Sequence, residues 1–122
     1  MGWINFSFPG SATVEQEDAE IGTIMETGEH SITFPYDITL LDVVLAQPAQ
    51  QNHEYSFWIN GKKVSSALYS AELNPTSQTR FNIKQLGIRI PAGSAIQIKS
   101  AQLSEASTAA AEPTILTLVY LP

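Results

Sequence analysis

The amino-acid sequence predicts an all-β protein, an antiparallel β-sandwich of jelly-roll type with about eight strands and an extended N-terminal arm. Short runs rich in β-branched and aromatic residues recur along the chain. Pro, Gly and Asn-Gly turns separate these runs, and no helical period competes with them. Long connections near residues 47–54 and 68–79 favour two stacked sheets over a closed up-and-down barrel, because such connections suit crossings between sheets.

The chain begins with a segment of alternating character. Residues 3–8 alternate between apolar and polar side chains before a Pro-Gly break, which is typical of a short strand or an extended arm. Residues 10–20 have no period and are rich in small and acidic side chains, as expected of a linker. We therefore predict two parts, an N-terminal arm with an acidic linker over residues 1–20 and the jelly-roll sandwich over residues 21–122.

Large apolar side chains in this arm are candidates for a partner interface, because such side chains are unfavourable on a free tail. Two alternatives follow from the pattern: the arm adds a strand to the chain's own sheet, or it docks on another chain by strand addition. With docking, deletion of residues 1–20 is expected to abolish partner binding and leave a folded sandwich. The candidate interface residues are Trp3, Ile4, Phe6 and Phe8.

The strands of the sandwich follow in chain order. Asn60-Gly61 predicts a two-residue type I′ hairpin, since both central positions of that turn need positive φ. In the strand before it, alternation places Tyr55 and Phe57 on the core face and Trp58 on the other face. The predicted strand bounds are residues 21–27, 31–34, 38–46, 55–59, 63–67, 80–86, 95–103 and 114–121.

Aromatic residues suggest a possible recognition surface. Trp58 and Tyr69, with Tyr36 and Trp3, are candidates for a platform on which sugar rings stack, and Trp58 is the best of them because it is out of phase with the core. The alternative is that Trp58 packs under a loop, under the arm or against a neighbouring subunit, since a large ring contributes much apolar burial.

The sequence offers no set of residues for catalysis or metal binding. The chain has no cysteine, and its two histidines, His30 and His53, lack a carboxylate pattern typical of metal sites. No Gly-x-Ser-x-Gly elbow and no Gly-rich phosphate loop occurs. The acidic residues between positions 15 and 20 do not follow the ligand order of a calcium loop. We therefore predict a protein that is not an enzyme and has no cofactor.

The charge of the chain and its lack of long apolar runs argue against a nucleic-acid partner and a membrane partner, respectively. Twelve acidic residues against six basic ones give a net charge of −6, and all the basic residues follow position 54. A nucleic-acid-binding protein usually has a basic surface, so we expect no nucleic-acid partner. No apolar run is long enough to span a membrane and no signal peptide is recognisable, so we expect a protein made in a cytoplasm without a membrane partner.

Three short segments resemble small jelly-roll domains of tailed-bacteriophage virions. They are residues 32–38 (Ile-Thr-Phe-Pro-Tyr-Asp-Ile), 59–64 (Ile-Asn-Gly-Lys-Lys-Val) and 90–96 (Ile-Pro-Ala-Gly-Ser-Ala-Ile). Proteins of this family occur as capsid decoration (cement) proteins and as tail or fibre domains. The similarity covers roughly residues 29–121. This chain departs from the pattern at Ser94, where members commonly carry an acidic residue.

The resemblance implies a structural virion protein without catalytic residues. A single domain without a coiled-coil stalk or a collagen-like repeat looks more like a decoration subunit than a whole fibre. The implied protein is a homotrimer that binds the major capsid protein on the capsid exterior, stabilises the shell and is assembled in the host cytoplasm. The alternative is a tail or fibre domain that binds a receptor or a glycan.

Overall fold

The computed structural model describes residues 2–9, 16, 18–46, 53–63, 68–69, 79–81, 89–102 and 114–122. Every strand pairing among these residues is antiparallel, and no helix occurs among them. The strands are β1 (Gly2–Phe8), β2 (Glu20–Ile21), β3 (Thr23–Ile24), β4 (Ile32–Thr33), β5 (Ile38–Ala46), β6 (His53–Ile59), β7 (Lys62–Lys63), β8 (Leu68–Tyr69), β9 (Thr79–Phe81), β10 (Arg89–Ile90), β11 (Ala95–Gln102) and β12 (Thr114–Leu121).

The strands form two sheets, which confirms the predicted all-β sandwich. The first sheet has the order β10-β5-β12-β1-β3, and β9 also pairs with β5. The second sheet has the order β2-β11-β6-β7, with β4 also on β11 and β8 also on β6. In both sheets the longest pairings join strands that are distant in sequence: β12 with both β1 and β5 in the first sheet, and β6 with β11 in the second.

The predicted strands agree with the structure best where the apolar pattern is long. Strands β5 and β12 have the predicted bounds, and β6 and β11 differ from the prediction by one or two residues at one end. The predicted strand at 21–27 is instead interrupted at Gly22. Parts of the predicted strands, residues 64–67, 82–86 and 103, lie outside the described residues.

The N-terminal segment is a strand of the sandwich. Strand β1 pairs with β12 along its whole length, from Gly2 opposite Tyr120 to Phe8 opposite Thr114. Own-sheet pairing is therefore the correct alternative, and assigning residues 2–8 to an arm was wrong. The partner-interface assignment was also wrong for three of the four candidates, because the chain's own core buries them: Ile4, Phe6 and Phe8.

The core lies between the two sheets and is made of large side chains that alternate along the long strands. The rings of Phe8 and Tyr55 meet edge to face across the two sheets, with centroids 5.5 Å apart. Both residues are fully buried. The remaining large, fully buried side chains are Phe6, Phe57, Ile24, Ile38, Leu40, Ile90, Ile96 and Ile98.

The chain crosses between the sheets at Gly22. Residues Glu20–Ile21 pair with β11 in the second sheet, whereas Thr23–Ile24 pair with β1 in the first. Between them the Gly22 N–H donates a hydrogen bond of 2.8 Å to the Ile98 carbonyl. Gly22 is buried there against the rings of Phe6 and Phe8. A residue without a side chain allows this close approach of the backbone to the core.

The hairpin at Asn60-Gly61 has the predicted geometry. Both residues have positive φ, 52° and 78°, and Ile59 lies opposite Lys62. The Asn60 side-chain oxygen also accepts a hydrogen bond of 2.9 Å from the Ala95 N–H, which ties the turn to β11. Core-facing Tyr55 and Phe57 in the preceding strand confirm the predicted alternation.

Candidate functional site

The outward face of the first sheet carries little charge along its central strands, and the charged Arg89 lies on the edge strand β10 opposite Thr39. Its three central strands, β1, β5 and β12, contain a single charged residue, Asp42. A register shift of β5 against β12 places Val119 opposite Asp42 and Tyr120 opposite Leu40, so Leu41 is the extra residue. We call this surface the Trp3 face; its apolar members are Trp3, Leu41, Val44, Ile115, Val119 and Leu121.

Trp3 is the most exposed large apolar side chain of the described residues, with 63% of its surface accessible. It lies opposite Val119 in the neighbouring strand. Two polar residues of this face are bonded to each other: the Thr117 hydroxyl donates to the Asn5 side-chain oxygen, and the Asn5 amide donates to Glu26 at 2.8 Å. Asn5 and Thr117 therefore already have hydrogen-bond partners within the chain.

The outward face of the second sheet has a different character, since it carries a network of charges around Trp58. The Trp58 indole N–H donates to the Ser56 hydroxyl at 2.8 Å, and Ser56 donates to Asp18 at 2.6 Å. Lys63 forms an ion pair with the same Asp18 carboxylate at 3.4 Å. The Lys99 ammonium lies 3.7 Å from the centroid of the indole ring, a cation–π contact. We call these five residues the Trp58 cluster.

The contacts of Trp58 leave its ring less accessible than a sugar platform would need. As predicted, Trp58 lies on the face opposite the core residues Tyr55 and Phe57. However, Lys99 already covers its ring and Ser56 accepts its N–H. The backbone of Tyr69 pairs with Glu54 in the same sheet, and the Tyr69 side chain lies outside the described residues.

Two of the segments that carry the family resemblance meet at one end of the sandwich. The Asp37 carboxylate accepts hydrogen bonds from the Ala92 N–H at 2.8 Å and from the Arg89 guanidinium at 3.2 Å. The Gly93 N–H donates to the Phe34 carbonyl at 2.9 Å. These contacts fix residues 34–37 on the turn that precedes β11.

The same end carries three aromatic rings in contact. Phe34 is buried, and its ring centroid lies 4.7 Å from that of Tyr120 and 5.8 Å from that of Tyr36. Burial raises the pKa of the Tyr120 hydroxyl, and the adjacent Tyr36 adds to the increase. The Tyr36 side chain remains 44% exposed. We call Phe34, Tyr36, Asp37, Arg89 and Tyr120 the Tyr36 end.

Asp37 makes part of the protein's stability depend on pH. The Ala92 N–H first, and then the Arg89 guanidinium, hold the pKa of Asp37 below its usual value of 3.8. A carboxylate with a lower pKa in the folded chain stabilises it above the unfolded pKa, and this stabilisation disappears as pH falls through the folded pKa. We expect Asp37→Asn to lower the urea midpoint at neutral pH, and the deficit to shrink below about pH 4.

Urea unfolding of both proteins across this pH range, followed by tryptophan fluorescence, measures the effect. A deficit of constant size at every pH would mean that the hydrogen-bond geometry, and not the charge of Asp37, provides the stability.

A buried polar group at the other end of the core was not predicted from the sequence. Glu20, assigned to the acidic linker, is only 8% exposed and lies opposite Ser100 in β11. Ser100 in turn lies opposite Tyr55 in β6. Burial raises the pKa of the Tyr55 hydroxyl far above its ordinary value, with Glu20 contributing and Thr114 opposing the shift. Tyr55 is therefore neutral over the whole working range of pH and serves the core.

The described residues contain no group of three or more His, Cys, Asp or Glu side chains placed to hold a metal ion. His30 is exposed, and its Nδ1 lies 3.4 Å from the Gly22 carbonyl oxygen and 3.5 Å from the Thr23 hydroxyl. Within the same residues no helix has the length and apolar character needed to cross a membrane.

No protein-family model matches the sequence, and no curated protein matches it.

Proposed function

We propose that the chain is a structural protein of a tailed-phage virion, a capsid decoration (cement) protein that binds the outer shell and stabilises it without catalysing a reaction. The observation that carries the proposal is the Trp3 face, an exposed apolar surface with one charged residue in its three central strands. The three segments that resemble phage jelly-roll domains supply the virion context.

Charge explains why this face suits contacts between copies of the chain. The protein carries a net charge of −6, so two copies repel each other over most of their surfaces. The Trp3 face brings almost no charge into a contact, and an exposed tryptophan is a typical interface anchor. We propose that it joins three copies in a homotrimer and that the trimer sits on the capsid exterior.

The rigidity of the Trp3 face and the several binding contacts of a trimer both favour stabilisation of the shell. Strands β1, β5 and β12 are adjacent in one sheet and have fully buried side chains on their inner faces, so the Trp3 face loses little conformational entropy on binding. A trimer that contacts several copies of the major capsid protein at once gains avidity over one subunit. Binding only to the assembled shell then stabilises the shell by mass action.

We expect Trp3→Glu to convert the oligomer to a monomer and to reduce retention on shells at least about tenfold, because it replaces the most exposed apolar side chain of the Trp3 face by a charge. Gln97→Glu is the matched control, since it makes the same charge change on the outward face of the second sheet, opposite Trp58. The two measurements are solution mass by analytical ultracentrifugation and co-sedimentation with empty capsids of the phage that encodes the chain.

Circular dichroism verifies that both variants are folded. The homotrimer proposal fails if Trp3→Glu keeps the mass of the unmodified protein. The decoration proposal fails if the unmodified protein does not co-sediment with the capsids, and a tail or fibre domain then becomes the better assignment.

A further inference from the structure

The Tyr36 end offers a second exposed surface, at one end of the sandwich. Its Tyr36 ring is exposed, and it lies at the end of the sandwich and not on the Trp3 face. Of the four aromatic residues considered as a sugar platform, Trp58 is covered by Lys99, and Trp3 lies opposite Val119 in the Trp3 face, where the nearest charged residue of the central strands is Asp42. Tyr36 is the described ring that combines exposure with charged hydrogen-bonding groups beside it.

The loop that carries Tyr36 is held in place by contacts of its neighbouring residues. Pro35 restricts the backbone before it, and the buried Phe34 anchors the loop on Tyr120. Hydrogen bonds from Ala92 and Gly93 hold the two ends of the loop. A preformed position for an exposed ring lowers the entropy cost of binding a ligand there.

The polar groups beside the ring are also exposed. The side chains of Asp37 and Arg89 are 51% and 72% accessible, and an ion pair this exposed contributes little to stability. Arg89 has five N–H donors, of which its contact with Asp37 uses one nitrogen. The pair therefore offers donors and an acceptor next to an apolar ring, and a site with these groups suits a ligand that has one apolar face and several hydroxyls.

We propose that Tyr36, Asp37 and Arg89 form a binding site for a neutral sugar ring, whose C–H face stacks on Tyr36 while its hydroxyls bond to the carboxylate and the guanidinium. The sugar is a unit of a polysaccharide, because a shallow surface with a single ring binds one residue of a chain. This inference does not depend on the decoration function or on the Trp3 face.

The test is a titration of the ¹⁵N-labelled full chain with three separate probes, cellohexaose, maltohexaose and chitohexaose, followed by NMR. We expect saturable shifts for at least one probe in the backbone amides of Tyr36, Asp37, Ala92 and Gly93. Tyr36→Ala is expected to weaken that binding at least about tenfold. Arg89→Met is expected to weaken it about threefold to tenfold, and Tyr36→Phe about twofold, since phenylalanine keeps the ring.

Met25→Ala is the matched control, because Met25 is similarly exposed and lies outside the Tyr36 end; its binding is expected to equal that of the unmodified protein. The proposal is overturned if no probe gives saturable shifts up to about 10 mM. It is also overturned if the shifts centre on Trp58 and Lys99, or if Tyr36→Ala binds as well as Tyr36→Phe. Retention of Tyr36→Ala on capsids is expected to be unchanged, so failure of this inference is distinguishable from failure of the decoration function.

Discussion

Replacing Phe6 by alanine is expected to lower the free energy of unfolding by about 3–5 kcal/mol. Phe6 has no exposed surface, and it lies opposite Leu116 on one side and Ile24 on the other. Loss of the ring leaves a cavity in the core between the two sheets. The strands paired with β1 on both sides restrict collapse of the surrounding side chains into it.

The control for Phe6 is Met25→Ala, which is expected to cost less than about 1 kcal/mol because its side chain is largely exposed and lies outside the Trp3 face. Urea unfolding measures the loss in free energy of unfolding for both variants. Equal, small effects at the two positions would contradict the placement of β1 in the core.

The position of β1 also changes how shell binding has to be tested. A chain without residues 1–20 lacks the strand between β12 and β3, and we now expect it not to fold. Loss of shell binding by that deletion would therefore say nothing about the interface. Trp3→Glu removes the contact and keeps the strand.

Gly22→Ala is expected to destabilise the protein by about 1–3 kcal/mol, because the site is already full. A methyl group on Gly22 would lie 2.8 Å from the Phe8 ring and 3.1 Å from the Phe6 side chain. Neither ring has exposed surface into which it can move. The backbone there also holds the hydrogen bond to Ile98, so the chain cannot shift away without losing it.

The neighbouring Ile21→Ala, at a side chain that is 42% exposed, is the control and is expected to cost less than about 1 kcal/mol. A double-mutant cycle sharpens the test. In a Phe8→Leu background the smaller side chain makes room, so Gly22→Ala should cost less than it does alone. An unchanged cost in that background would mean that the destabilisation does not come from the contact with Phe8.

Short sequence patterns predicted those features of the fold that depend on neighbouring residues alone, namely individual strands and the hairpin turn. A mainly apolar, β-branched run of nine residues located β5, and the Asn-Gly pair located the hairpin and the orientation of Trp58. Partners distant in sequence were not predictable from such patterns. An alternating segment at residues 3–8 reads the same whether it pairs with β12 or with another chain. Glu20 reads as part of an acidic linker until its pairing with β11 is known.

In the candidate sites, too, the orientation of single residues was predictable from the sequence, whereas contacts between distant residues were not. The sequence predicts that Trp58 faces away from the core, but the contact with Lys99 depends on the register between β6 and β11. Likewise, Asp37 and Arg89 are 52 residues apart, and they meet because β10 pairs with β5. Exposure of Tyr36 and Trp3 follows only from which side chains the two sheets bury.

The pairing of β1 with β12 has a consequence for biosynthesis. Strand β1 is synthesised long before its partner β12, and Asn5 and Thr117, hydrogen-bonded to each other, are 112 residues apart. While the nascent chain lengthens, Ile4, Phe6 and Phe8 lack their partner strand β12 and stay accessible to chaperones or to other nascent chains. The first sheet therefore closes only after translation has passed β12, and such long-range contacts are typical of slow folding.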